Sequence, residues 1–533
     1  MSMIRELYLS KQGATAKQKD NYCKFFVMLL ENFLIKRYTI YGIMRKNPHI
    51  LEINAQVWLN KFSRELNKPL TLADIPQSYL EEIKYFGFDA LWLMGVWQQS
   101  PKSAEIAKNH PDILNYLAKV KPDFDPKDIG PSLYAIYDYK VNPDFGGEEA
   151  LLTLKKRLND LGVKLILDFA GNHLSCDTPY LQSHPEYFIS KPGIMPQEEG
   201  LFFKGPEGRY FAHGRDPHFY PWSDTAQLNH FNPKAREFLR DILRYVSTLC
   251  DGLRCDMVML MLNKVFAETW KMYLDGQKPQ DEFWPEAIQE IKAKNPYFTF
   301  LAEVYWGLDW EVQEMGFDYT YDKTLYDRLL LSNAQDIQGH LSAEHLYQRR
   351  SLRFIANHDE EPPIKAFGLE KSRAAAVACY TINGARLFTL NQIYGATVRY
   401  PIQYIPKEER NSRVVAFYEH FLRIINDPCF HGGQWSLKPI GPMGKDDQTY
   451  KNILAWLWWQ STSCKFVFIN YSDSISNFKI NEEKFPKTEK TTIKFKEEFS
   501  DMTKELPISA FKQDGGLTVS LMPFEMRIYS FDF

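Results

Sequence analysis

Four short stretches of this 533-residue chain end an apolar run in groups that can move a proton or hold a charge. Residues 168–173 (DFAGNH) and 252–256 (GLRCD) close two such runs, and 301–303 (LAE) and 357–359 (NHD) close two more. A single polar ending of this kind would be an ordinary helix cap. Four of them meet at one patch only if the runs are parallel strands that share an end. Side chains two apart on a strand share a face, so Gly252, Arg254 and Asp256 point the same way. The neighbouring guanidinium is expected to keep Asp256 ionised. Glu303 follows the almost wholly apolar run 298–302, so desolvation is expected to raise its pKa. One carboxylate held charged and one held protonated is the division of labour that glycosidic bond cleavage requires.

The elements that must position these groups are legible in the same pattern. Apolar runs rich in aromatic and β-branched residues occur at 49–59, 88–97, 162–169, 250–257, 297–306, 316–322, 352–359 and 384–391. Continuous apolar strands separated by helices indicate a parallel sheet covered on both faces. Helical spacing is clear at 148–161, which opens with acidic residues, and at 232–249, with Asn232 at the cap and Pro233 just inside. Eight such units fit an α/β fold, a (β/α)8 TIM barrel enlarged beyond its usual ~250 residues, with catalytic groups at the C-terminal strand ends.

Composition shifts divide the chain further. Residues 1–47 are expected to form an N-terminal helical extension. The barrel then occupies 48–173 and 225–427, interrupted after its third strand by an inserted domain at 174–224 rich in Pro, Gly, His and aromatics. Beyond 428, short strands at 452–459, 465–470, 492–495, 517–521 and 525–531 between turn signals predict a C-terminal β-sandwich over 428–533.

The charge balance excludes some classes of partner. With 64 basic and 67 acidic residues the net charge is −3, which argues against a nucleic-acid partner. The most apolar early stretch, 25–35, carries Glu31 and Asn32 and falls short of the ~18 apolar residues of a membrane span. Seven scattered cysteines with no zinc-ligand spacing predict reduced thiols and a cytoplasmic setting, not a disulfide framework.

Together, DFAGNH, GLRCD, AEVYW and ANHD resemble, in order, the four conserved regions of the α-amylase family of glycoside hydrolases. The segment 133–147 is similar to the family's tyrosine segment, and the resemblance runs over roughly 50–425. It implies a retaining hydrolase that cleaves α-glucosidic bonds in α-glucans or oligosaccharides through a covalent glycosyl-Asp intermediate. Asp256 is then the nucleophile, Glu303 the general acid/base and Asp359 the third carboxylate. His173, Arg254 and His358 surround the sugar, and Tyr134 stacks on it. Trp306 is read as a sugar platform on the leaving-group side, with core packing as the competing reading. Asp168 and Asn172 are read equally as loop braces or sugar contacts, Tyr220 and Trp222 as packing or sugar platforms with packing favoured, and Cys255 as packing.

No cofactor is implied, and the oligomeric state is left open. Three departures from the family pattern bear on subsites and metal. Met259 and Leu260 stand where many members have Lys-His, and 385–391 lacks the common polar ending of the eighth strand. Neutral Gln227 stands where calcium-binding members supply Asp, so no tightly bound metal is expected. The same residues would serve a transglycosylase that passes a glucosyl or maltosyl unit to a sugar. A silent, carbohydrate-binding relative is the third reading, and the intact carboxylates weigh against it.

Overall fold

Each of the eight apolar runs contributes one strand to a closed barrel in the computed structural model, which describes residues 44–274, 278–406, 410–480, 490–511 and 516–532. The strands are β1 (His49–Asn54), β2 (Ala90–Met94), β3 (Lys164–Phe169), β4 (Gly252–Cys255), β5 (Thr299–Ala302), β6 (Tyr319–Tyr321), β7 (Ser351–Arg353) and β8 (Ala385–Thr389). They close in the order β1-β8-β7-β6-β5-β4-β3-β2, every pair parallel. All residues of β2, β4, β5 and β8 are buried, which is why these strands read as unbroken apolar runs.

The strands are shorter than their runs. The first run was expected to continue to Leu59, but β1 stops at Asn54, whose side chain accepts from the Val57 N–H at 3.1 Å and caps α1 (Ala55–Leu66). From Ala55 the apolar period changes from two to 3.6, and Ala55, Trp58, Leu59 and Phe62 form the buried stripe. Likewise β7 ends at Arg353, so 354–359 leaves the sheet before reaching the site. The helix expected at 232–249 spans Pro233–Leu249 and buries Ala235, Leu239, Ile242, Leu243, Val246 and Leu249, with the Asn232 side chain accepting from Lys234 N–H.

Between β3 and β4 the chain makes a long excursion. Its outgoing strand His173–Ser175 pairs antiparallel with its return strand Thr225–Gln227, which sets His173 opposite Gln227. A small three-stranded sheet of Ser190–Lys191, Tyr210–Ala212 and Phe202–Lys204 lies between them in sequence.

After the barrel, a six-stranded antiparallel sheet runs in the order Gln434–Leu437, Ile453–Gln460, Ser463–Asn470, Met526–Asp532, Thr492–Glu497, Thr503–Pro507. The strands Ser476–Ile480 and Leu517–Leu521 form a second sheet, and Ile453, Leu457, Phe466, Phe468, Phe478 and Leu521 fill one core between the two. The indoles of Trp456 and Trp458 fasten the larger sheet to the barrel by donating to Thr381 Oγ1 (3.1 Å) and Thr381 O (2.6 Å). The extension expected at 1–47 lies, except for its last four residues, outside the described residues. Among the described residues, no helix is long and apolar enough to cross a membrane.

Candidate active site

The C-terminal ends of β3, β4 and β5 converge on one guanidinium. Arg254 lies in β4, fully buried, and its Nη1 donates to Asp256 Oδ1 at 2.8 Å. Its Nη2 lies 2.7 Å from Glu303 Oε2, an ion pair whose N–H is not aligned on the oxygen. Asp168, from β3, stands 3.8 Å from Nη1. Tyr134 and Trp92 present their rings to the guanidinium at 5.2 and 5.1 Å. One cation thus serves three buried acids, and their protonation is settled collectively.

Burial pushes the Glu303 carboxyl up to about 7, with Arg254 opposing and Asp256 and Asp359 assisting. This matches the protonated acid expected from the sequence. Two hydrogen bonds fix the group: Met257 N–H donates to Oε2 and Tyr305 Oη–H to Oε1, each at 2.8 Å. The expectation for Asp256 is corrected. Its pKa is raised, not lowered, because burial, Asp168 and Asp359 outweigh the attraction of Arg254. Asp168 is likewise raised by burial, to about 6, and is held by Trp92 Nε1–H (3.1 Å) and Gly95 N–H (3.2 Å). These bonds tie the end of β3 to β2 and the turn that follows it.

Asp359 differs from the other acids because its side chain is half exposed. Desolvation opposes ionisation, but His358, with Arg254 and Arg399, holds it down at about 2. His358 Nε2 sits 3.1 Å from Asp359 Oδ2 and 3.3 Å from Tyr134 Oη. On its other side His358 meets Glu52, from β1, a residue the sequence reading missed. Tyr305 and Trp92 were also missed.

His173 is buried beside Trp222, ring centres 5.2 Å apart, and burial lowers its pKa to about 4, so it is neutral near pH 7. Trp306 lies apart from the core, 41 % exposed, in the left-handed region (φ +62°) and edge-on to His218 at 5.0 Å. Its exposure is not that of a core residue. Tyr220 is 94 % exposed and Phe219 beside it 74 %, which corrects the packing reading of Tyr220. Cys255 is fully buried, as a packing residue should be.

The residues at the family's calcium position do not fit the ion. Gln227, fully buried, donates through Nε2 to Asn172 Oδ1 (3.0 Å), Asn172 O (2.8 Å) and Leu228 O (3.0 Å). The oxygens that would face a cation are bound by an amide instead, and the pair carries no charge. Among the described residues, no group of three or more His, Cys, Asp or Glu side chains is arranged to hold a metal.

Residues 75–326 match the family model described as "Alpha amylase, catalytic domain". The chain is 24 % identical over 296 residues to "Alpha-amylase 3" of Dictyoglomus thermophilum, covering 51 % of this chain and 55 % of that protein. It is 24 % identical over 193 residues to "Oligo-1,6-glucosidase" of Parageobacillus thermoglucosidasius, covering 31 % and 34 %. The chain therefore spans about half the length of the first of these relatives and a third of the second. In fold it is similar to an alpha-amylase from Lactobacillus plantarum (TM-score 0.62, 19 % identity, 91 % of this chain and 98 % of that one). A maltogenic alpha-amylase from Thermotoga neapolitana is similar to the same degree (TM-score 0.64, 19 % identity, 92 % and 99 %).

Proposed function

The catalytic region of this chain belongs to the α-amylase family of glycoside hydrolases, and from that premise we propose that the protein is a retaining glycosidase acting on α-glucosidic bonds of α-glucans or oligosaccharides. The observation that carries the reading is the bridge from Arg254 to both Asp256 and Glu303, which keeps two carboxyl groups within the span of one guanidinium. In the retaining arrangement the two carboxyls stand ~5–5.5 Å apart, too close to admit water between them.

The chemistry follows from the electrostatics. Glu303, still protonated at pH 6–7, gives its proton to the departing glycosidic oxygen. In its carboxylate form, paired with Arg254 Nη1, Asp256 attacks the anomeric carbon, and the glycosyl ester forms as the bond to the leaving oxygen breaks. Glu303, now a carboxylate, takes a proton from the incoming water, and the ester is hydrolysed with net retention. Asp359, ionised throughout, and His358 hold hydroxyls of the same sugar, and Tyr134 covers its face. Incubation with maltooligosaccharides tests the reading: shorter sugars and glucose or maltose support it, and no turnover refutes it.

Transfer to a sugar acceptor is the second reading. The exposed aromatics Phe219, Tyr220 and Trp306 favour it, because flat, solvent-facing rings offer a surface on which an acceptor sugar can stack. Products longer than the substrate would mark transfer.

A further inference from the structure

We propose that Glu52 is a positioning residue of this site, fixing the backbone and ring of His358 so that Nε2 addresses Asp359 and the bound sugar. One oxygen, Glu52 Oε1, lies 3.0 Å from the His358 backbone N–H and 3.0 Å from Nδ1. A carboxylate oxygen only accepts, so Nδ1 carries a hydrogen; the backbone contact anchors Oε1, and the ring cannot turn without breaking its own bond to that oxygen. Nε2 is left toward Asp359 Oδ2 at 3.1 Å and Tyr134 Oη at 3.3 Å. The Trp92 ring, edge-on at 5.7 Å, closes the remaining side.

The placement is a property of the barrel. Glu52 pairs in register with Trp92 of β2 and Thr389 of β8, so strand pairing sets its height at the site end. It is 4 % exposed, and burying a carboxylate in an apolar strand costs stability unless its oxygens are used. Oε1 is used twice. Among the described residues neither Oε2 nor the Nε1 of Trp58 has a hydrogen-bond partner, and both residues line a cavity of about 140 Å³, room for several waters.

The charged and titratable groups around His358 are Glu52, Asp359, Asp168 and Tyr134, and Arg254 and Arg399 act in turn on Asp359. Burial opposes protonation of the ring, but Asp359 and Glu52 hold it well above the ordinary histidine range. With a carboxylate on each nitrogen the imidazolium persists, and its Nε2–H can pass from Asp359 to a sugar hydroxyl as substrate enters.

Glu52→Gln in the full chain tests this, because the amide keeps the shape and removes the charge. The His358 imidazole titration followed by NMR is expected to fall by at least one pH unit. kcat/KM is expected to fall about 10- to 100-fold. Combined with His358→Gln, the E52Q change is expected to cost nothing further, since Glu52 acts through His358. An unchanged His358 titration, or losses that simply add, would overturn the proposal. Should E52Q lack a cooperative melt, Glu52→Asp draws the charge back by one methylene, and wild-type values of both readouts there would overturn it equally. The kinetic arm rests on the glycosidase reading, but the titration does not, so a protein inert toward glucans would still decide the role of Glu52.

Discussion

Gln227 Nε2 donates to Asn172 Oδ1 across 3.0 Å, so the return strand of the insertion grips the loop after β3 directly. Because this contact occupies the position where the family's calcium joins the same two segments, chelation is expected to leave both activity and melting temperature unchanged. Gln227→Ala is expected to cost about 1–3 kcal/mol by stranding the Asn172 and Leu228 oxygens. A melting temperature that falls with EDTA and recovers with calcium but not magnesium would contradict this.

The two carboxyls facing Arg254 have separable roles. Glu303→Gln is expected to lose at least 100-fold in kcat on natural glucans while retaining substantial turnover of substrates whose leaving group needs no proton. Asp256→Asn is expected to be inactive on both classes. Rescue of the Asp256 variant instead would mean the roles are exchanged.

The burial of Glu303 couples activity to stability through pH. Its pKa is raised from an ordinary 4.5 to about 7, so the folded state binds the proton more tightly than the unfolded chain does. That contribution to stability is complete below pH 4.5 and is lost as pH rises through 7. Asp359, held at about 2, has the opposite sign and matters only below about pH 4. Glu303→Gln is therefore expected to melt like wild type near pH 4.5 and to exceed it by on the order of 3 kcal/mol at pH 8. Parallel stability curves for the two proteins would rule this out. Activity is expected to fall on the alkaline side with a midpoint near 7, as Glu303 loses its proton.

Trp306 holds a backbone conformation that costs a bulky residue about 1–3 kcal/mol. Trp306→Gly is expected to leave the melting temperature unchanged or raised while increasing KM for maltooligosaccharides about 2- to 10-fold. A clear loss of stability with unchanged KM would return Trp306 to the packing reading.

The barrel was legible because strands buried on both faces write continuous apolar runs, and eight of them were found. Their ends were less legible, since an apolar helix that follows directly extends the run. That is how Glu52 escaped notice. With the first run read through Leu59, Glu52 stood in its middle, although Asn54 and the change of period at Ala55 mark the true end. In the C-terminal region the edge strand Thr503–Pro507 was missed because almost all of it is exposed and its residues do not alternate. The Arg254–Asp256 contact followed from spacing alone. The net effect on Asp256 did not, because Asp168 and Asp359 arrive from other strands and burial is a property of the whole barrel. Tyr305 could have been found two residues beyond Glu303, on the same side of an extended segment.

The central claim is double displacement through Asp256, and the configuration of the first-formed product tests it most directly. Proton NMR during the first minutes of maltooligosaccharide hydrolysis, before mutarotation, is expected to show the α-anomer accumulating first. If the β-anomer accumulates first, water attacks the anomeric carbon directly, and Asp256 is not the nucleophile.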